Sequence, residues 1–291
     1  MRVTETMTYR SLLAGAEALR ENMETASQQV ASGKKILSLA DSPSGSAELV
    51  DLRSQLAEVD QYRANASSGS FLVGLAESIL SSAHNVVTAI YTRGSAAATS
   101  YWDADELATL AAEARVLRDE LLSLANSAAN GRYLFAGSRV TAVPFTLTGD
   151  QVSYQGDLVQ NRISVADGLQ VTQNVPGSSA FSAAFVAIES LLVALDSGDA
   201  AGLSAALGQF AGGLKELSDM RADLGVSLAT IQNAEREQDV RETSLRSRQG
   251  SIESADLAEA IVHLKSNEAA LEATFTTRAV VGQKNLFDYL A

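Results

Sequence analysis

The sequence predicts a mainly α protein, an elongated helical rod with terminal coiled-coil helices and a small β-rich insertion domain. Apolar residues recur at alternating steps of four and three along most of the chain, the a/d pattern of a helix that buries one narrow seam. Only three prolines occur, Pro43, Pro144 and Pro176, and since proline breaks helices and central strands, long helices fit between them. The apolar period switches from helical to two only around residues 132–177. Composition agrees: of 291 residues 46% are hydrophobic, 20% charged and 5% aromatic, and low aromatic content with abundant Ala, Ser and Leu marks a helix-rich chain.

Taken in order, Leu12, Ala16, Leu19, Met23, Ala26 and Val30 form the first seam. Gly33, Asp41, Ser42, Pro43 and Gly45 interrupt it, and Leu49, Leu52, Leu56 and Val59 start a second helix that Leu72, Leu75, Ile79, Val86 and Ile90 carry to about Arg93. Asp103 and Glu106 then spell a capping box, in which each side chain satisfies an orphan backbone N–H at a helix start. Trp102 reads as a staple across that entry. The third helix keeps its spacing through Leu107, Leu110, Ala114, Leu117, Leu121, Leu124 and Ala128, and Asn130-Gly131 is read as its glycine stop.

The period-two stretch begins with Tyr133 to Ala136 extended. Phe145–Thr148 and Gln151–Tyr154 flank the turn pair Gly149-Asp150. Ile163 and Val165 face Leu169 and Val171 across Asp167-Gly168, a pair that favours a type I′ turn. Helix returns after Pro176, from about Phe181 to Leu195. The longest seam follows through Leu203, Leu207, Phe210, Leu214, Leu217, Leu224, Leu228 and Ile231, with Arg221, Glu235, Gln238 and Glu242 also on seam positions. Counted from Leu203 to Gln249 this helix is roughly 70 Å long at 1.5 Å per residue, and its polar run is expected to turn partly to solvent or to a neighbour. Leu257, Ile261, Leu264, Glu268, Leu271 and Phe275 repeat the spacing, and Leu286, Phe287, Tyr289 and Leu290 close the chain. Isolated helices of modest length are marginal in water, so both terminal helices are expected to order fully only when they gain partners.

A formal net charge of −13 argues against nucleic acid, which would repel such a chain. Residues 1–35 carry five basic and four acidic side chains and residues 254–291 three and five, so the ends sum to −1 and the middle holds the other −12. Near-neutral ends can pack against copies of themselves, while an acidic middle suits a solvated exterior. The absence of cysteine removes disulfides, thiolate metal sites and cysteine nucleophiles. No secretory signal is read in residues 1–19 and no run of some 18 apolar residues is read anywhere, so no membrane insertion is expected.

Catalytic material is thin, and the chain is read as no enzyme, with no cofactor and no metal. His84 and His263 are the only histidines, each on a helical stretch without a paired ligand. Ser32-Gly33-Lys34-Lys35 spells S-x-x-K, but its companion motifs are missing and its place at a helix end, with lysines facing the negative dipole, gives it a structural role. Asp103, Asp105 and Glu106 suit a helix start better than a cation site.

Particular residues add a resemblance. Met1-Arg2-Val3-Thr4, Ala31-Ser32-Gly33-Lys34-Lys35, Ala40 to Ala47 (Ala-Asp-Ser-Pro-Ser-Gly-Ser-Ala) and the closing coiled-coil segment resemble the flagellin superfamily. Asn130-Gly131-Arg132-Tyr133-Leu134-Phe135-Ala136-Gly137, Pro144-Phe145, Tyr154-Gln155-Gly156-Asp157 and Leu286-Phe287-Asp288-Tyr289-Leu290 resemble, within it, the hook-associated protein 3 family of hook–filament junction subunits. The resemblance implies an extracellular subunit of the bacterial flagellum, exported by the flagellar type III apparatus and lying between hook-associated protein 1 and the flagellin filament. Its partners would be copies of itself, hook-associated protein 1, flagellin and an export chaperone that holds the segment from Leu264 to Leu290. It implies a terminal coiled-coil assembly domain (1–40 and 254–291), a helical rod domain (41–131 and 178–253) and a β-rich outer domain (132–177). The assembly interface carried onto this chain is Leu12, Leu19, Met23, Val30, Leu257, Ile261, Leu264, Leu271, Phe275, Leu286 and Phe287. A short flagellin is the alternative within the superfamily. A coiled-coil adaptor would share the heptads but not need the β insertion, and a hydrolase using Ser32 would need a base that the sequence does not offer.

Overall fold

The computed structural model describes residues 2–99 and 103–283. The chain runs α1 (Arg2–Ser32), α2 (Pro43–Thr99), α3 (Ala104–Ala125), β1 (Ala128–Ala129), β2 (Arg132–Tyr133), β3 (Phe145–Thr148), β4 (Gln151–Tyr154), β5 (Arg162–Ala166), β6 (Leu169–Thr172), α4 (Gly177–Ser197), α5 (Ala200–Glu253) and α6 (Leu257–Gln283). The protein is thus mainly helical, with long terminal helices and a small strand-containing middle region. It divides into a unit of residues 1–58 with 242–291 and a unit of residues 59–241.

In the first unit α1 packs against α6. Over the described residues both terminal helices are helical, and each packs against the other. Between α1 and α2, Asp41 accepts hydrogen bonds from the backbone N–H groups of Leu37 (2.9 Å) and Ser38 (2.7 Å). These bonds hold its carboxyl below the usual range. Ser42 then opens α2, its Oγ accepting from Gly45 N at 3.2 Å, and Pro43 takes the first helical position, where its missing N–H costs nothing.

In the second unit the predicted α5 seam is a heptad stripe. Leu203, Phe210, Leu217, Leu224 and Ile231 are buried at intervals of seven, and Gln238 continues the stripe at 2% exposure. Gln238, one of the polar residues expected to turn to solvent or to a neighbour, is therefore covered and not exposed. Its Oε1 is buried without a hydrogen-bond partner among the described residues. Arg221 leaves the seam to bind Glu77 on α2, Nη2 to Oε1 at 2.8 Å.

α3 starts with the predicted capping box: Asp103 N donates to Glu106 Oε2 at 3.0 Å, and Glu106 N to Asp103 Oδ1 at 2.9 Å. Trp102 lies outside the described residues. The end of α3 differs from the reading. The helix stops at Ala125, and Asn126 clamps the backbone of Phe145, accepting from its N and donating to its O at 2.9 Å each. Asn130-Gly131 is instead a hairpin turn, with Ala129 paired to Arg132 and φ of 52° and 74°. Two successive left-handed residues suit the two-residue turn of a right-twisted hairpin, and Asn-Gly is the pair that tolerates them best.

The β3–β4 hairpin pairs Phe145 with Tyr154 and Thr148 with Gln151, as read from the sequence. β5–β6 forms too, pairing Ile163 with Val171, but a bulge at Val165 shifts its register. Its turn is not type I′, because Asn130 is the only non-glycine with positive φ among the described residues and Asp167 therefore has none. The strands make three separate two-stranded sheets, each too small to stand alone, so they depend on the helices beneath them. α4 supplies that support. It is 21 residues long and contains an 18-residue stretch with a mean hydropathy of 1.8, long and apolar enough to cross a membrane by length and composition, which the sequence reading missed. Eleven of them are buried in the core of this unit, among them Phe181, Phe185, Ile188, Leu191 and Leu192.

Candidate assembly surface and signature region

The α1–α6 pair is antiparallel. Its closed end is fixed where the two chain connections meet: Lys35 N donates to Glu253 O (2.7 Å), and Ala255 N to Gly33 O (3.0 Å). At the other end Tyr9, Leu12, Leu13 and Ala16 of α1 meet Thr274 and Phe275 of α6 around a small crevice, and the Arg20 guanidinium lies 5.9 Å from the Phe275 ring centre.

The structure places Leu12, Leu19, Met23 and Val30 half-buried on α1, with Ala16 and Ala26 fully buried among them. On α6 it brings Leu264 and Leu271 to the same half-buried face, together with Ala260, Asn267 and Thr274. Leu257 and Ile261 stay 46% exposed and Phe275 43%. Leu286 and Phe287 lie outside the described residues. The α6 stripe that faces α1 thus runs at steps of four and three from Ala260 to Thr274, one position away from the Ile261 and Phe275 that hydrophobicity selects, while Leu257, in register with the stripe, lies at the exposed helix start. Sequence reasoning missed Ala260, Asn267 and Thr274 because small and polar residues carry little hydrophobic signal; the usable clue was their spacing from Leu264 and Leu271. The helix therefore has two faces. One closes on α1, with the half-covered Phe275 at its edge, and the other leaves Ile261 and Val262 in water, as the first turn leaves Leu257.

S-x-x-K resolves as helix-end structure. Ser32 Oγ donates to Gln28 O at 2.6 Å and accepts from Lys34 N at 3.3 Å, while Lys34 Nζ reaches Glu253 Oε1 at 2.7 Å. His263 is a surface residue 3.6 Å from Glu259. His84 is half-buried on α2, its Nδ1 without a partner.

In the second unit the signature residues form a hydrogen-bonded knot on top of α4. The Tyr154 hydroxyl lies 2.9 Å from Phe135 O and 2.8 Å from Asp157 O, and burial pushes its pKa up. Asp157 accepts from Ser138 N (2.8 Å), from Val159 N (3.0 Å) and from the Ser138 hydroxyl. These bonds, the Ser138 hydroxyl foremost, hold its carboxyl below the usual range. Gly137 sits at φ +70°, and a Cβ there would lie 2.1 Å from Asp157 Oδ1; no other residue fits that turn. Asn174, buried, binds Asn161 N (2.6 Å), Val159 O (3.2 Å) and Gly137 O (3.4 Å). Beneath them the rings of Phe135 and Phe181 pack edge to face at 5.0 Å, with Phe145 5.8 Å from Phe181 and 5.3 Å from Phe185. The tip of β3–β4 is tied to α3 through Asp150, which receives the buried Arg118 guanidinium at 2.5 Å and Arg115 at 3.2 Å. Those bonds, Arg118 first, lower the Asp150 pKa.

Phe135, Gly137, Phe145, Tyr154 and Asp157 of this knot are among the residues that carry the resemblance. The flagellar hook-associated protein 3 of Salmonella typhimurium is 26% identical over 99% of both chains. From end to end, the chain resembles flagellar hook-associated protein 3. Residues 3–140 match the bacterial flagellin N-terminal helical region. Two solved structures have the same fold. FlgL of Xanthomonas campestris superposes with a TM-score of 0.63 at 20% identity, over 68% of this chain and 99% of that one. The flagellar junction protein FlgL of Legionella pneumophila gives 0.60 at 16%, over 71% and 99%.

Proposed function

We propose that this chain is a structural subunit of the bacterial flagellum and forms the junction between the hook and the flagellin filament. The observation that carries the reading is the match to hook-associated protein 3 over 99% of each chain, spanning the terminal helices, the knot and the strands together. A short flagellin would share the N-terminal helical region, but that match alone does not account for similarity across the strands and through to the C-terminal helix.

The subunit works by binding. Residues 1–40 and 254–291 act as the assembly domain, residues 41–131 with 178–253 as the helical body, and residues 132–177 as the outer part. Leu12, Leu19, Met23, Val30, Leu257, Ile261, Leu264, Leu271, Phe275, Leu286 and Phe287 form the interface, in which Leu257, Ile261 and Phe275 meet neighbouring copies. Covering each such side chain contributes about 1.5–3 kcal/mol, and repetition around a layer multiplies that gain. Hook-associated protein 1 lies on one side and flagellin on the other. A dedicated chaperone covers the C-terminal helix before export through the type III apparatus, after which the protein is extracellular. Its role is structural, and it performs no catalysis. The test is to seed purified protein with filament fragments and follow growth by electron microscopy. The proposal expects no filament from this protein alone; long filaments would make it a flagellin.

A further inference from the structure

We propose that Glu253 is the positioning residue that latches the terminal helix pair to α2 and α5, and that acid opens this latch. The inference stands on the geometry of the first unit and does not depend on the flagellar reading. α1 and α6 are joined to the helices beside them by two short connections, which touch in a single antiparallel bridge between Lys34 and Ser254. Two backbone hydrogen bonds make that bridge, from Lys35 N to Glu253 O and from Ala255 N to Gly33 O. So short a ribbon is marginal in water by itself.

Glu253 supplies what the ribbon lacks. It is 8% exposed at the last position of α5. Its Oε1 accepts from Lys34 Nζ of the α1–α2 connection at 2.7 Å and from Arg53 of α2 at 3.2 Å, and its Oε2 from Gln249 of its own helix at 3.1 Å. One carboxylate thus binds three segments of chain. Other acids nearby are engaged elsewhere: Glu48 of α2 pairs with Arg248 at 2.6 Å, Asp41 binds the amides of Leu37 and Ser38, and Asp256 caps α6 through Ala258 and Glu259. The charges acting on Glu253 are the cations Lys34 and Arg53, and the Lys34 hydrogen bond is the main cause of a pKa held below the usual glutamate value of 4.5, against burial, which raises it.

The sign follows from linkage. A carboxyl with a depressed folded pKa adds stability above its unfolded pKa, and that stability is lost as pH falls through the folded value. Protonation would leave Lys34 and Arg53 facing a neutral acid, and the ribbon would open before the helices melt.

Amide hydrogen exchange in the full chain tests this, read at Lys35 and Ala255, with Gly177, whose N–H binds Phe135 O, as the reference in the other unit. Glu253→Gln keeps the size and loses the charge. It is expected to speed exchange at Lys35 and Ala255 about tenfold at pH 7, as loss of a charge-assisted hydrogen bond would, and to leave Gly177 unchanged. Wild-type protection at the two ribbon amides, corrected for intrinsic exchange, should fall on acidification, whereas that of Glu253→Gln should stay low and flat. Lys34→Met, which leaves Arg53 in place, should give a smaller rise. Unchanged ribbon protection in Glu253→Gln, wild-type protection that ignores pH, or equal loss at Gly177 would each overturn the latch.

Discussion

The terminal helix pair and the knotted region over α4 are built on opposite plans. Over α4, four aromatic rings, a buried asparagine and a glycine that admits no side chain close on one another, so nearly every large apolar residue of that core is covered by its own chain. In the terminal pair the most buried positions are alanines, Leu12, Leu19, Leu264 and Leu271 are half-covered, and Leu257, Ile261 and Val262 are exposed. The first region is complete as folded. The second leaves apolar side chains exposed, and the proposed assembly would cover them.

The largest effect that would sharpen this contrast is expected inside the knot. Phe181→Ala removes a ring that touches Phe135, Phe145 and Phe185 and should destabilise the chain by about 3–5 kcal/mol in urea unfolding. Gly137→Ala comes next: left-handed backbone and collision with Asp157 together cost about 1–3 kcal/mol, which thermal unfolding would register. Asp103→Ala, which removes the α3 cap, should cost about 1 kcal/mol by the same measurement. Acid should weaken the knot as well. Asp150 and Asp157 have lowered pKa values, so their contribution is full above the ordinary aspartate value of 3.8 and disappears as pH falls below it; a urea midpoint that did not drop between pH 5 and pH 3 would contradict this. The smallest effect on stability is expected at the ends. Ile261→Ser should change unfolding by no more than about 0.5 kcal/mol yet abolish incorporation into flagella. A large loss of stability there would mean that Ile261 is satisfied within its own chain, and the contrast would break.

Much of this was legible in the sequence where one local rule acted alone. The α1 and α5 seams, the Asp103–Glu106 box and the β3–β4 hairpin each follow from spacing or from a single turn pair. Reading failed where two rules competed. Asn130-Gly131 serves equally well as a helix stop or a hairpin turn, and only the clamp of Asn126 on Phe145, 19 residues away, decides for the hairpin. Gln238 looked like an exit from the seam, yet the heptad position outweighed its polarity. On α6, hydrophobicity pointed to Leu264, Leu271 and Phe275, which do lie toward α1, and also to Ile261, which does not, and it passed over Ala260, Asn267 and Thr274. Closeness between helices favours small residues, which hydropathy cannot see. The knot was recognisable as a run of residues, but many of its contacts join positions from 13 to 37 apart, and no local pattern reports them.

The central claim is that this chain forms a junction layer and not a filament, and gold-labelled antibody against it, viewed on intact flagella by electron microscopy, tests that most directly. Label confined to one narrow band where hook meets filament is the result expected. Label along the whole filament, or none on the flagellum, would contradict it.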